Sequence, residues 1–307
     1  MTSEPDPDER RTRTAGRVTA LLAAVALVFA AGWALGSIGG AAPGSAGRLA
    51  PGPALRNAVD TADPETAPMG LVSTRAGYTL HPVRTVLPWN QPTEVAFTLT
   101  GSDGVPVRAI DGGATAVDVA VIRRDDAGYE PLRATAGPDG VWRAPVTFPG
   151  AGVWRLYAGF TPTGGPALDL GADLFVPGPF GPFTFTTEQR TATSGPFQVR
   201  VDGELAPGGS SPVFATVSRD GRPVTDLEPV AGTGGAYGRL VAVRQGDLAR
   251  IPLRAQVTGA APAGRSGPGI GFVAELPSTG SYRLFLTFTQ GGAERTAEFT
   301  VDAAAGS

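Results

Sequence analysis

The feature that most constrains the fold of this chain is an internal repeat, in which one series of short motifs occurs twice in the same order. The matching stretches are 103–107 with 220–224, 119–123 with 240–244, 131–134 with 252–255, and 153–160 with 281–288. The offset between partners grows from 117 residues at the first pair to 128 at the last, which predicts an insertion in the Gly- and Pro-rich stretch 259–269. We therefore expect two similar domains in tandem.

Each repeat consists of short runs of alternating apolar and polar residues separated by turn residues. Residues 93–100 alternate with period two and end at Gly-Ser-Asp-Gly, a turn signal. The 44 glycines and 29 prolines of the chain also favour a β protein rich in turns over one built of long helices. A repeat of about 100 residues has the size of an immunoglobulin-like sandwich. The predicted fold class is all-β, with two tandem immunoglobulin-like β-sandwich domains after an N-terminal transmembrane helix.

The strand at 153–160 carries large side chains on both of its faces. Trp154, Leu156 and Ala158 would point to one side of the sheet, and Tyr157 to the other with its polar neighbour Arg155. This pattern predicts a central strand that is covered on one side and partly on the other. We assign the aromatic residues of this half to the core rather than to a ligand platform; they are Trp142, Trp154, Tyr157 and Phe160.

An uncharged segment near the N-terminus predicts a membrane anchor. Residues 18–38 contain no charge over 21 positions, which is enough helix to cross a bilayer. Arginines precede this segment and none follows it until Arg48, so we expect the N-terminus in the cytoplasm and the rest outside. The alternative is a signal peptide that is cleaved between residues 36 and 46, which would give a secreted protein.

These patterns divide the chain into six parts. They are a cytoplasmic N-terminus at 1–17, a transmembrane helix at 18–38, a flexible linker at 39–73, a first immunoglobulin-like domain at 74–177, a Pro-rich hinge at 178–184 and a second such domain at 185–303.

Composition excludes several classes of function. The net charge of −3 removes the electrostatic case for nucleic-acid binding. A chain with no cysteine has no disulfide, thiol catalysis or Cys-ligated metal, and its single histidine leaves no base for a Ser-His-Asp site. We expect no enzymatic activity and no cofactor.

The motifs resemble those of actinobacterial secreted or membrane-anchored proteins with two tandem immunoglobulin-like domains of the YtkA-like type. The resemblance covers residues 93–302 and includes the strand Gly-Ala-Tyr-Gly-Arg-Leu-Val-Ala at 235–242. It implies metal or proton binding through His-x-His motifs. Here Arg239 and Asp118 stand at the family's strand histidines, while 131–133 and 252–254 read Pro-Leu-Arg in place of His-x-His.

Three arginines are candidate interaction residues. Arg133 and Arg254 occupy equivalent positions in the two repeats, and Arg239 replaces a family histidine. Guanidinium groups suit an anionic polymer or a lipid headgroup, although a solvent-facing strand end is the simpler interpretation. His81 has no second ligand nearby and is interpreted as a surface histidine, and the run 123–126 as a solvated turn with self-paired charges.

The sequence thus predicts a single-pass, extracytoplasmic, non-enzymatic protein that binds or supports the cell envelope. Its partners would be the membrane and either an envelope protein or an anionic polymer. A metal-handling envelope protein that has lost most of its ligands is the alternative.

Overall fold

A computed structural model describes residues 70–184, 187–256 and 267–304. The predicted cytoplasmic segment, the predicted transmembrane helix and residues 39–69 of the predicted linker lie outside these ranges, as does most of the predicted insertion. Among the residues that are described, no helix is long and apolar enough to cross a membrane. Their one helical segment is a single 3-10 turn at Asp111–Gly113.

The first domain is a sandwich of eight antiparallel strands. They are β1 (Thr74–Arg75), β2 (Tyr78–Pro82), β3 (Pro92–Thr100), β4 (Ala116–Arg123), β5 (Glu130–Ala136), β6 (Trp142–Thr147), β7 (Gly152–Phe160) and β8 (Leu168–Val176). Hydrogen bonding follows the order β1-β2-β3-β6-β5-β4-β7-β8. Strand β5 pairs with β4 along most of its length and with β6 only at Thr135 and Ala136, so it joins the two layers at one corner.

The second domain repeats this plan with nine strands. They are β9 (Thr191–Ser194), β10 (Phe197–Asp202), β11 (Ser210–Arg219), β12 (Arg222–Pro223), β13 (Gly238–Arg244), β14 (Arg250–Ala255), β15 (Gly269–Glu275), β16 (Gly280–Gln290) and β17 (Ala293–Ala303). The order is β17-β16-β13-β14-β15-β11-β10-β9, with β12 beside β11. The corner recurs where Arg254 and Ala255 of β14 pair with β15.

These two topologies confirm the predicted all-β fold of two immunoglobulin-like sandwiches. Strand β4 lies between β5 and β7 in the first domain. Its copy β13 lies between β14 and β16 in the second, as the repeat requires. Thirteen residues separate β14 from β15, whereas five separate β5 from β6, so the extra length of the second copy falls in the predicted place.

Alternating side chains build a separate core inside each sandwich. Val95, Phe97 and Leu99 of β3 point inward in the first domain, and Trp142 and Trp154 are fully covered there. Burying each such large apolar side chain contributes roughly 1.5–3 kcal/mol. The second core is formed in the same way; its inward residues on β11 are Val213, Ala215 and Val217.

A third apolar cluster joins the two domains. It consists of Ala120, Ile122, Tyr129 and Tyr157 of the first domain with Val241, Val243, Leu248 and Phe285 of the second. The outer face of the sheet that contains β4 and β7 therefore packs on the matching face that contains β13 and β16. The sequence expected the Tyr157 face to be only partly covered, but Tyr157 is fully buried because the other domain covers it.

Equivalent positions of the two repeats meet across this junction. Asp118 and Arg239 are separated by 121 residues, the same offset that relates Pro131 to Pro252, and they form an ion pair. Such pairing of a position with its own copy is what an approximate twofold axis between the domains produces. The two copies thus associate through the same face.

The segments before and after the first domain are attached to it. Residues 70–73, which the sequence assigned to the flexible linker, form backbone hydrogen bonds with β8. The N–H of Gly70 donates to the backbone carbonyl of Asp169, and the N–H of Gly171 donates to the backbone carbonyl of Val72. In the predicted hinge, the N–H of Phe183 donates to Asp125, and the Phe180 ring lies beneath the Arg123 guanidinium at 5.5 Å.

Candidate functional site: the cleft between the two domains

A buried ion pair crosses the domain junction. Nη1 of Arg250, at the start of β14, lies 2.7 Å from Oδ2 of Asp169 in β8, and the two side chains are 7% and 4% exposed. Burial alone would lower the pKa of Arg250, but the Asp169 carboxylate beside it raises that pKa above its usual value. The guanidinium therefore stays charged, and the pair ties β8 of one domain to β14 of the other.

Aromatic contacts flank this ion pair in a symmetric way. The guanidinium of Arg250 lies 5.6 Å from the ring centre of Tyr157, while Tyr129, which is equivalent to Arg250 in the first repeat, stacks on Phe285 at 4.2 Å. The Tyr157 hydroxyl donates to the carbonyl of Leu248 at 2.6 Å. Burial raises the pKa of the Tyr157 hydroxyl, so it remains a proton donor at neutral pH.

Two of the three predicted interaction residues meet at the edge of the junction. Nη1 of Arg133 lies 3.6 Å from Oδ1 of Asp118, and Nη2 of Arg239 lies 3.3 Å from Oδ2 of the same carboxylate. Arg239 also donates to the carbonyl of Ala231 at 2.7 Å. We call this cluster, formed by Arg133, Asp118 and Arg239, the arginine trio; each domain supplies one of its arginines.

The arginine trio lies in a cleft of about 500 Å³ between the domains. Its apolar wall includes Val117, Phe160 and Pro252, and the ion pair of Asp169 and Arg250 also lines it. The loop before β13 contributes Gly232, whose φ of +76° favours glycine. A Cβ at this position would lie 2.5 Å from Nη1 of Arg133, so the glycine lets this loop approach the trio.

The third predicted residue, Arg254, lies elsewhere. It pairs with Glu275 on the neighbouring strand, is 73% exposed, and does not line the cleft. Arg133 and Arg254 are equivalent in sequence, but only Arg133 has the other domain's arginine nearby. The sequence could not distinguish the two positions, because their surroundings differ only through the way the domains pack.

Sequence reasoning missed a buried acid at the other end of the junction. Asp126 is 7% exposed, and its Oδ1 has no hydrogen-bond partner among the described residues. Burial raises its pKa to about 7, the carboxylates of Asp125 and Asp247 add to the rise, and Arg283 of the second domain opposes it. In the predicted solvated turn Arg123 does pair with Asp125, but Asp126 faces the second domain. Its φ of +63°, a conformation that aspartate tolerates better than most residues, is the local reason that it occupies the turn.

The histidine prediction agrees with the structure. His81 is exposed on β2 opposite Thr98 of β3. Among the residues described here, no group of three or more His, Cys, Asp or Glu side chains could hold a metal ion.

Comparison with known proteins gives one family match. A model for a domain of unknown function (DUF8832) matches residues 191–305, which correspond to the second sandwich. No curated protein matches the chain. The YtkA-like resemblance stays a prediction, since the matching family carries no described role.

Several solved structures of bacterial proteins are similar to this chain. The chain is similar to the Escherichia coli adhesin FdeC, at 14% identity and a TM-score of 0.25 over 75% of this chain and 64% of that one. A tetra-tandem repeat from a large adhesion protein is 11% identical, with a TM-score of 0.25 over 74% of this chain and 49% of that one. A protein described as membrane-anchored from Corynebacterium diphtheriae is 13% identical, with a TM-score of 0.22 over 76% of this chain and 60% of that one. The chain spans less than two thirds of each of these three structures. At TM-scores this low, the similarities carry no argument about function.

Proposed function

We propose that this protein is a membrane-anchored, non-enzymatic binding module of the cell envelope. The observation that carries the proposal is the cleft, in which two sandwich domains combine side chains from both repeats around one cavity. Ligand sites commonly form at domain interfaces, as concave surfaces with a few charged groups on apolar walls. The uncharged segment 18–38 supports its place outside the cytoplasmic membrane.

The joined architecture suits a binding module. The shared apolar cluster and the ion pair of Asp169 with Arg250 hold the two sandwiches in one arrangement, so the cleft keeps its shape without a ligand. A preformed site avoids the entropic cost of ordering two domains on binding.

The alternative of metal handling is not supported by the groups at the family's histidine positions. Asp118 and Arg239 bind each other, and Arg254 binds Glu275. A guanidinium carries a fixed positive charge and offers no lone pair to a cation.

Cell fractionation tests the location. The full chain should sediment with membranes, and protease added outside spheroplasts should digest the two domains while a cytoplasmic marker stays intact. A variant that lacks residues 18–38 is the control, and it should stay inside the cell and resist the protease. Recovery of the full chain from the cytosol would contradict the proposal, and release of a shortened chain into the medium would favour the secreted alternative.

A further inference from the structure

The arginine trio holds more positive charge than its one carboxylate neutralises. Arg133 and Arg239 share Asp118, at 3.6 Å and 3.3 Å. Elsewhere in the described residues a typical ion pair is closer: Arg123 with Asp125 and Arg155 with Asp173 lie at 2.8 Å and 2.9 Å. Neither arginine therefore makes the close, forked contact that a guanidinium makes with a carboxylate it holds alone.

The guanidinium donors of the trio are largely unused. Arg133 makes no hydrogen bond within the part of the chain that the structure describes, and its ion pair with Asp118 exceeds hydrogen-bond distance. Arg239 uses one donor on the carbonyl of Ala231. A guanidinium has five N–H donors, so most donors of both side chains have no protein partner among the described residues.

Of the three other charged groups that line the cleft, two form an ion pair with each other and the third accepts a backbone hydrogen bond. Asp169 is neutralised by Arg250 at 2.7 Å. Asp111 stands at the margin of the cleft, and its Oδ1 accepts the N–H of Gly112 at 3.0 Å. The trio itself therefore carries one more positive charge than negative charge, and Asp111, which also lines the cleft, forms no ion pair among the described residues.

We propose that this cleft binds an oxyanion, a carboxylate or phosphate group carried on an anionic envelope polymer, between Arg133 and Arg239. A second anion beside Asp118 would complete a set of two guanidiniums and two anions. Val117, Phe160 and Pro252 line the same cleft, and apolar surface beside a charge lowers the effective dielectric and strengthens that attraction. The choice of an envelope polymer rests on the proposed function, whereas the oxyanion chemistry rests on the trio alone.

Titration of the purified full chain in nanodiscs tests this inference. The probes are trigalacturonate for carboxylates, a short polyglycerol phosphate for phosphates and maltotriose as the uncharged counterpart, each followed by calorimetry. One or both anionic probes should bind, and maltotriose should bind at least about tenfold more weakly. Whichever anionic probe binds more tightly identifies the group. Absence of binding by both anionic probes, or equal binding of maltotriose, would overturn the proposal.

Three variants locate the site. Arg133→Gln should weaken binding about tenfold, which corresponds to ~1.4 kcal/mol, whereas Arg254→Gln, at the equivalent position outside the cleft, should change it less than about twofold. Asp118→Asn should strengthen binding, because it releases both guanidiniums from their internal anion. Mere structural damage at Asp118 would weaken binding instead, and thermal unfolding checks that each variant is folded.

The outcome is separable from that of the fractionation experiment. Equal loss of affinity in Arg133→Gln and Arg254→Gln would show general attraction to basic side chains and overturn the site. If the protein proved cytosolic but Arg133→Gln still lost binding selectively, the oxyanion site would stand. Only the envelope polymer as its ligand would then be wrong.

Discussion

The carboxylate of Asp169 and the guanidinium of Arg250 meet 2.7 Å apart inside the junction, although 81 residues and a domain boundary separate them. Each is the main charged partner of the other in a space that Tyr157 and the apolar cluster close off. Oδ1 of Asp169 and Nε of Arg250 have no partners among the described residues, so the pair depends on one close contact. The stability of the junction therefore depends on both members being present.

Removal of one member should be more harmful than removal of both. Arg250→Met leaves a buried carboxylate without its counter-ion, and we expect a loss of about 3–5 kcal/mol in the free energy of unfolding. The double variant Asp169→Asn with Arg250→Met should recover part of that loss. Denaturant titration measures both, and Arg200→Met, which breaks the exposed pair of Arg200 with Asp202, is the control, with an expected loss below about 1 kcal/mol. A double variant less stable than Arg250→Met alone would contradict this explanation.

Asp126 should make stability depend on pH near neutrality. Its pKa in the folded protein is about 7 against 3.8 in the unfolded chain, so its contribution is most favourable below pH 3.8 and is lost as pH rises through 7. Asp126→Asn removes this loss, and at pH 8 the variant should be more stable than the parent by roughly 2 kcal/mol after allowance for solvent screening. Urea titrations between pH 5 and pH 8 should show the difference grow with pH.

Asp125 provides the matched control for this experiment. Burial opposes ionisation of Asp125, but its carboxylate accepts hydrogen bonds from the Arg123 side chain and from the N–H of Phe183. These bonds lower the pKa of Asp125 below its usual value. The stability it contributes is present above the unfolded pKa and is lost as pH falls, which is the opposite sign to Asp126. Asp125→Asn should therefore destabilise the protein at pH 8. If Asp126→Asn were less stable than the parent at pH 8, the charged carboxylate would be favourable in the folded protein and the prediction would be wrong.

The fold was predictable from the sequence because two signals agree. Alternation along residues 93–100 gives β3 its inward face of Val95, Phe97 and Leu99, and the repeat extends the same plan to β11. The phase assigned to β7 was also correct, since Trp154 and Leu156 enter the first core while Tyr157 leaves it.

The site was only half predictable, because periodicity shows that a face is buried but not what buries it. Arg133 and Arg239 were identified as interaction residues, but their shared carboxylate Asp118 was not; it lies opposite Arg133 on β4 and β5, and Arg239 joins them only when the domains pack. The signal that could have found it is the repeat itself, because position 118 is acidic where its copy at 239 is basic. Asp126 gave no such signal, since a charged residue in a turn ordinarily faces solvent.

The hydroxyl of Tyr157 should stabilise the junction through a single hydrogen bond. Tyr157→Phe removes the donor and leaves the buried carbonyl of Leu248 without it, so we expect a loss of about 1–3 kcal/mol. Tyr78→Phe is the matched control, because Tyr78 packs edge-on against Phe160 at 5.9 Å through its ring and should lose less than about 0.5 kcal/mol. Chemical denaturation compares the two. Equal effects would mean that the Tyr157 hydroxyl contributes nothing specific.

The attachment of residues 70–73 to β8 should be sensitive to one glycine. A Cβ at Gly171 would lie 2.0 Å from the carbonyl oxygen of Gly70 and 2.8 Å from Nε of Arg155, and backbone cannot yield as a side chain can. Arg155 donates to the carbonyls of Gly70 and Leu71, so Gly171→Ala should release this segment at a cost of about 1–3 kcal/mol. Hydrogen exchange at the amides of Gly70 and residue 171, whose hydrogen bonds join this segment to β8, should rise sharply in this variant. Gly209→Ala, where a Cβ meets nothing within 4 Å, should leave exchange unchanged. Unaltered exchange in Gly171→Ala would mean that the segment is not held by these contacts.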